Sequence, residues 1–436
     1  MSYSPCEPIG VVGDGAVHPP REVSVLQPRR SFLAASVLVL CAVAGCEKKQ
    51  PAGADGGGTP PPAPGPAPVA SAPVDADTIL FGEVGSLTGA QATFGISTKN
   101  GIQMAIDEVN AAGGVVLKEN GVDGKAKKIA VRVYDDQGKS EEAANAVTRL
   151  INQDKVTVIL GEVASSNSLA MAPKAQAAGV PMITPSSTNP KVTEVGDFIF
   201  RVCFIDPFQG TVMAKFATET LKAKNVAILK DNKSDYSLGL TQFFTETFKG
   251  LGGTIVAEEA YSQGDTDFRG QLTAIKGKNP DAIYVPGYYT DVGVVARQAR
   301  ELGLKVPLLG GDGWESEKLF ELGGSAINGS YFSNHYSSDD PTPRVQNFIK
   351  NYEQKFGSKP DSLAALGYDA AMVAIEAIKR TGSVDGAKLK DAIAQTKDHP
   401  GIAGSITLDA NRNAVKPAVI LQVKDDKAVY VSTVNP

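Results

Sequence analysis

The sequence predicts an α/β protein made of two doubly wound, parallel-sheet lobes with a ligand cleft between them. Three observations support this. Short, almost uninterrupted apolar segments recur along the chain from Thr78 onward, as expected of strands covered on both faces. Segments with apolar residues at helical spacing separate them. The alternation also runs in two successive series, one before and one after Pro207, which argues for two similarly built units.

In the first series, strands are expected at Thr78–Val84, Lys128–Tyr134, Val156–Gly161, Val180–Thr184 and Phe198–Cys203. Helices are expected at Asn100–Ala112, stopped by Gly113 and Gly114, then at Glu141–Gln153 and Ser166–Ala178. The second series alternates helices Phe208–Leu221, Tyr236–Leu251, Phe268–Ile275 and Asp291–Leu302 with strands Asn225–Leu229, Thr254–Glu258, Ala282–Val285 and Pro307–Gly310. A tail follows, with helices Thr342–Phe356, Ser362–Thr381 and Ala387–Gln395 and strands Ser405–Leu408 and Pro417–Val423.

Before Thr78 the composition is different. Arg29 and Arg30 precede the uncharged run Ser31–Gly45, which ends in small residues before Cys46. That pattern is expected of an export signal, and Ala44-Gly45-Cys46 resembles the lipobox of bacterial lipoproteins, which implies lipidation of Cys46. The Arg-Arg-x-Phe-Leu pattern also resembles a twin-arginine signal, so the export route stays open. Of residues 51–76, 20 of 26 are Pro, Gly or Ala. Such a stretch buries too little apolar surface to offset its ordering entropy and is expected to be a tether. The organisation expected is therefore 1–45 N-terminal extension and signal, 46–77 tether, and two lobes built from the residues that follow.

The chain has 436 residues, 43 basic against 48 acidic, and a net charge of -5. This mild acidity argues against nucleic acid as a partner. Four cysteines and three histidines, thinly spread, argue against a Cys/His metal site, and no metal or other cofactor is expected. Gly138-Lys139-Ser140 looks like the end of a phosphate loop, but Val133 stands where that loop needs glycine. There is no G-x-S-x-G elbow, and His335 and His399 have no nucleophile signal nearby. A binding protein is expected, not an enzyme.

Ligands of open parallel sheets bind beyond the carboxyl ends of the strands. The first series places Phe94, Ser165, Ser186 and Thr188 there, in loops rich in hydroxyls and helix starts, which suit a carboxylate. The second series places Tyr236, Tyr288, Asp312 and Trp314 there. A carboxylate among aromatic rings suits an ammonium group with an apolar body. Together these residues describe a site for a small zwitterion.

At these positions the sequence resembles the leucine/isoleucine/valine-binding proteins of bacterial ABC importers, which have the type I periplasmic-binding fold. The resemblance rests on Gly85–Gly89, Gly101 with Ala105, Asn110–Gly114, Tyr134–Asp136, Gly161–Ser166, Pro181–Thr188, Gly287-Tyr288, Arg297–Arg300 and Gly367–Ala370. It implies three hinge crossovers, near Phe204–Pro207, Ser333–Ser337 and Asn411–Pro417, which make 78–205 with 336–413 the first lobe and 206–335 with 414–436 the second. It implies that Ser165 and Thr188 bind the ligand carboxylate, that Ser186 offers backbone, and that Asp312 meets the ammonium. Tyr236 and Tyr288 would cover the ligand, and Phe94 and Trp314 would shape its side-chain pocket. It further implies a monomer, lipid-anchored through Cys46 at the periplasm or cell surface and serving ABC permease subunits. Some members carry a disulfide where this chain has Gly138 and Ala164, so that bridge is absent. The family also includes receptors for amides, urea and aromatic acids, and a subunit feeding a signalling protein stays open as an alternative.

Overall fold

The computed structural model describes residues 77–436 apart from Asn120. The signal, Cys46 and most of the tether lie outside the described residues.

Two sheets form the frame. The first contains β1 (Thr78–Gly85), β2 (Val115–Glu119), β3 (Val122–Asp135), β4 (Val158–Leu160), β5 (Met182–Thr184) and β6 (Ile199–Arg201), in the order β2-β3-β1-β4-β5-β6. The second is built from β7 (Asn225–Asp231), β8 (Thr254–Tyr261), β9 (Ala282–Tyr284), β10 (Leu308–Gly310) and β11 (Tyr331–Asn334). After β12 (His399–Gly401), β13 (Gly404–Leu408) and β14 (Ala414–Val415), a small three-stranded sheet of their own, the chain returns with β15 (Ala418–Lys424) and β16 (Lys427–Val434). The second sheet runs β16-β15-β11-β10-β9-β7-β8.

Parallel pairing dominates both sheets, but each is mixed. β2 runs antiparallel to β3, and β15 and β16 pair antiparallel at the edge of the second sheet. β4, β5, β9 and β10 are wholly buried three-residue strands, which is why they read as apolar runs. The chain leaves the first sheet after β6, returns after β11, and re-enters the second at β15.

The helix Ala92–Ala111 starts eight residues earlier than its periodicity indicates. Residues 92–99 hold β-branched Thr93, Ile96 and Thr98 and a glycine, poor helix formers, and no side chain caps the helix start. Packing overrides propensity here. Gly95 lies so close to the loop after β1 that a Cβ would sit 2.2 Å from the Ser86 carbonyl oxygen. The tail helices Pro343–Phe356 and Ser362–Thr381 join the first sheet's core through Phe348, Ile349, Leu366 and Ile375. Around the second sheet, the core includes residues from the other half, among them Phe94, Val163, Ala164 and Leu363. The two halves are thus packed on each other. No helix among the described residues is long and apolar enough to cross a membrane.

Candidate functional site

A narrow cavity, about 240 Å3 with its mouth included, lies where the strand ends of the two sheets face each other. From the first half it is lined by Phe94, Val163, Ser165, Ser186 and Leu363, and from the second by Tyr236, Tyr288, Asp312 and Gly313. Six of the eight residues expected from the sequence therefore converge.

The first-half wall is a loop held from behind. Gly161 has φ +113°, and a Cβ there would lie 2.1 Å from the Val84 carbonyl oxygen, so only glycine admits this turn. The carbonyl of Glu162 accepts bonds from the hydroxyls of Ser168, Thr184 and Ser187 at 2.9, 2.6 and 2.9 Å. Its carboxyl accepts from the Ala164 N–H at 2.5 Å and lies 3.2 Å from the Ser86 hydroxyl. Burial, together with the neighbouring Asp136 carboxylate, pushes Glu162 up to about 8, so it is largely neutral at pH 7. This frame sets Ser165 as the first residue of the helix Ser165–Ala178. Free N–H groups and the positive end of the helix dipole point there, as an anion requires.

The second-half wall centres on Asp312, in a tight turn just after β10. The Tyr236 hydroxyl donates to its Oδ1 at 2.9 Å, and His335 Nε2 lies 2.9 Å from its Oδ2. The Asp312 N–H donates to Gln209 Oε1 at 2.8 Å. Burial holds the His335 imidazole below its ordinary value despite the Asp312 carboxylate. The ring is therefore neutral at pH 7 and donates from Nε2. It stacks on Phe204 with centroids 3.6 Å apart. Tyr236 and Tyr288 stack at 5.2 Å, and Phe94 presents its edge to Tyr288 and Tyr289. Asp312 is thus a fixed carboxylate beside an aromatic box, with lone pairs left over after two donors.

Two expected residues are elsewhere. Trp314 does not reach the cavity. Its ring is wholly buried in the second core, against Phe332, and Nε1 donates to the Val285 carbonyl at 3.0 Å. The glycine at 310 leaves the space this ring fills, since a Cβ there would lie 2.0 Å from it. Thr188 is also wholly buried and does not line the cavity. Its hydroxyl and the Asp206 carboxyl face each other without a full hydrogen bond, and its carbonyl accepts from the Asp206 N–H at 3.0 Å.

Several participants have no local sequence signal. Val163 and Gly313 adjoin expected residues, but Leu363 arrives on a tail helix. His335 is 23 positions from Asp312; its scarcity was its one signal. The halves are also tied across the cleft. The Ser166 hydroxyl donates to Asp235 Oδ2 at 2.8 Å, Asn189 Nδ2 donates to the Asp235 carbonyl at 2.7 Å, and the Ser316 and Thr93 hydroxyls meet at 3.1 Å. Among the described residues no cluster of acids, histidines or cysteines could hold a metal.

Two α/β halves, three crossings between them and a cleft at their facing strand ends define the type I periplasmic-binding architecture. Residues 78–428 match the model of the periplasmic binding protein family, and the chain belongs to that family. It is 31% identical over 351 residues to a Leu/Ile/Val-binding protein of Rhizobium johnstonii, covering 78% of this chain and 89% of the relative. A leucine binding protein structure from Thermotoga maritima is 40% identical with a TM-score of 0.77, over 82% of this chain and 99% of its own. A branched-chain amino acid transporter substrate binding protein from Streptococcus pneumoniae, solved with isoleucine, is 36% identical with a TM-score of 0.76, over 82% and 100%.

Proposed function

We propose that this chain is the extracytoplasmic solute-binding lipoprotein of an ABC importer, anchored through Cys46, that takes a branched-chain or related apolar amino acid. The observation that carries this reading is the division of the cavity walls. Ser165 at a helix start and Ser186 face one side, and Asp312 with Tyr236 and Tyr288 faces the other. A zwitterion fits between them with its carboxylate on the helix start and its ammonium on Asp312. Phe94, Val163 and Leu363 offer an apolar surround for its side chain. The relatives named for leucine, isoleucine and valine support the same ligand class.

In this reading the ligand contacts both halves, so it binds their closed arrangement better than an open one and shifts the population toward closure. The permease would recognise the closed shape. Nothing in the cavity pairs a nucleophile with a base, which suits binding without turnover. Calorimetry against the twenty amino acids, small amides and aromatic acids tests the proposal. Sub-micromolar to micromolar binding of leucine, isoleucine or valine is expected. A preference for an aromatic acid or an amide over all amino acids would overturn it.

A further inference from the structure

A second, larger cavity of about 890 Å3, mouth included, lies on the side where the chain crosses between the sheets. Both halves build it. Ile402 comes from the turn between β12 and β13, Pro417 and Val419 from the last crossing and β15, and Tyr430 from β16. Tyr336, Asp339 and Asp340 come from the segment after β11.

We infer that this hinge cavity is a second ligand site, for a small organic ammonium with an apolar body. Charge selects the sign. Asp339 and Asp340 are the only charged side chains among the described residues that line it, with no lysine or arginine there. Neither makes an ion pair with another described residue. Ile402, Pro417 and Val419 suit an apolar body, and the rings of Tyr336 and Tyr430 suit a cation.

Two deeply buried polar groups on its wall also lack partners. His335 is 4% exposed and Tyr336 5%. His335 spends Nε2 on Asp312 as a neutral ring, which leaves Nδ1 a bare acceptor, and Nδ1 has no donor among the described residues. The Tyr336 hydroxyl has no partner among them either. An unmet acceptor in a buried wall is costly, and an ammonium N–H supplies what it lacks. Lys416 lies just before Pro417, buried and outside the lining. Burial lowers it to about 8, and Asp369, its counter-charge, is raised by burial to about 6. Near pH 7 both are mainly ionised, and Asp369 opposes part of the Lys416 charge.

An occupant here touches elements of both halves, and through His335 it adjoins Asp312 in the first cavity. The hinge site does not rest on the amino-acid reading of the cleft.

The test is calorimetry of the full chain with 2-phenylethylamine, and with 3-phenylpropionate as the anionic counterpart of similar shape. The amine is expected to bind and the acid not. A double variant, Asp339→Asn with Asp340→Asn, should weaken the amine by about tenfold or more, because Asn retains the turn bond that Asp340 Oδ1 accepts from the Thr342 N–H. Ser165→Trp, which fills the first cavity, should leave amine affinity within about twofold. Absence of amine binding, equal binding of the acid, an unaffected double variant, or loss of the amine in Ser165→Trp would each overturn the hinge site. Leucine titration of the same samples reads the cleft separately, so failure there leaves these four outcomes intact.

Discussion

Asp312 receives donors on both oxygens, from Tyr236 and His335, and this fixes the direction of its remaining lone pairs. If those lone pairs hold an ammonium, removing the carboxylate must hurt an amino acid more than the same molecule without its amino group. Asp312→Ala is expected to weaken leucine by roughly 100-fold, about 3 kcal/mol, and 4-methylpentanoate by no more than about threefold. Equal losses in a titration of both would remove the ammonium role. Tyr236→Phe deletes one donor to Asp312 and the acceptor of the Gly313 N–H, with an expected cost near 1–2 kcal/mol in leucine affinity. Cys203 presents the opposite case, a reactive residue type made inert. It is wholly buried, and burial raises its thiol to about 12, so thiolate is scarce at neutral pH. A maleimide should modify Cys203 only after denaturation; rapid labelling of the folded protein would contradict its placement.

The strands that could be read from the sequence are those whose surroundings are uniform. β4, β5, β9 and β10 are buried on both faces and consist of apolar residues alone or nearly so. β16 and β2 carry no such signature, because an edge strand with one solvated face needs only alternate apolar residues, as the mixed burial along Lys427–Val434 shows. Loops after strands were legible as candidate contacts, but whether a given side chain turns toward the cleft depends on its neighbours. Trp314 turns into the core because Gly310 leaves room beneath it. The Asp312–His335 pair was not legible, since only the parallel pairing of β10 with β11 brings their loops together. A pH effect belongs to β1. Glu83 is 1% exposed, neither carboxyl oxygen has a hydrogen-bond partner among the described residues, and burial raises it to about 8 despite Lys99. The folded state therefore holds this proton where the unfolded chain, near 4.5, has released it. Stability should fall as pH rises from about 4.5 to about 8 and then level off, with a Glu83 contribution of at most ~1.4 kcal/mol per pH unit. Glu83→Gln should flatten that part of the profile in urea melts between pH 5 and 8; an unchanged slope would show that the carboxyl is not carrying it.

At the scale of the molecule, the chain crosses three times between the halves, and polar contacts across the cleft help to tie them together. Asp235 is central among these, bonded through its carboxylate and N–H to Ser166 and through its carbonyl to Asn189. These bonds exist only when the halves meet, so their loss should favour opening without touching the cavity wall. Asp235→Ala removes the carboxylate contact and keeps the backbone ones, and it should weaken leucine several-fold, mainly through faster dissociation. Closure itself is measurable in solution. The ligand-free protein should scatter X-rays with a larger radius of gyration than the leucine-saturated protein, because a ligand that touches both walls gains affinity only from the closed form. Asp235→Ala should need more leucine to reach the same compact limit, and the limit should be unchanged, because the variant shifts the equilibrium and leaves its end point alone. A radius that stays constant through a titration in which calorimetry registers full binding would mean that the halves do not move, and the ligand would then have to enter a preformed cavity.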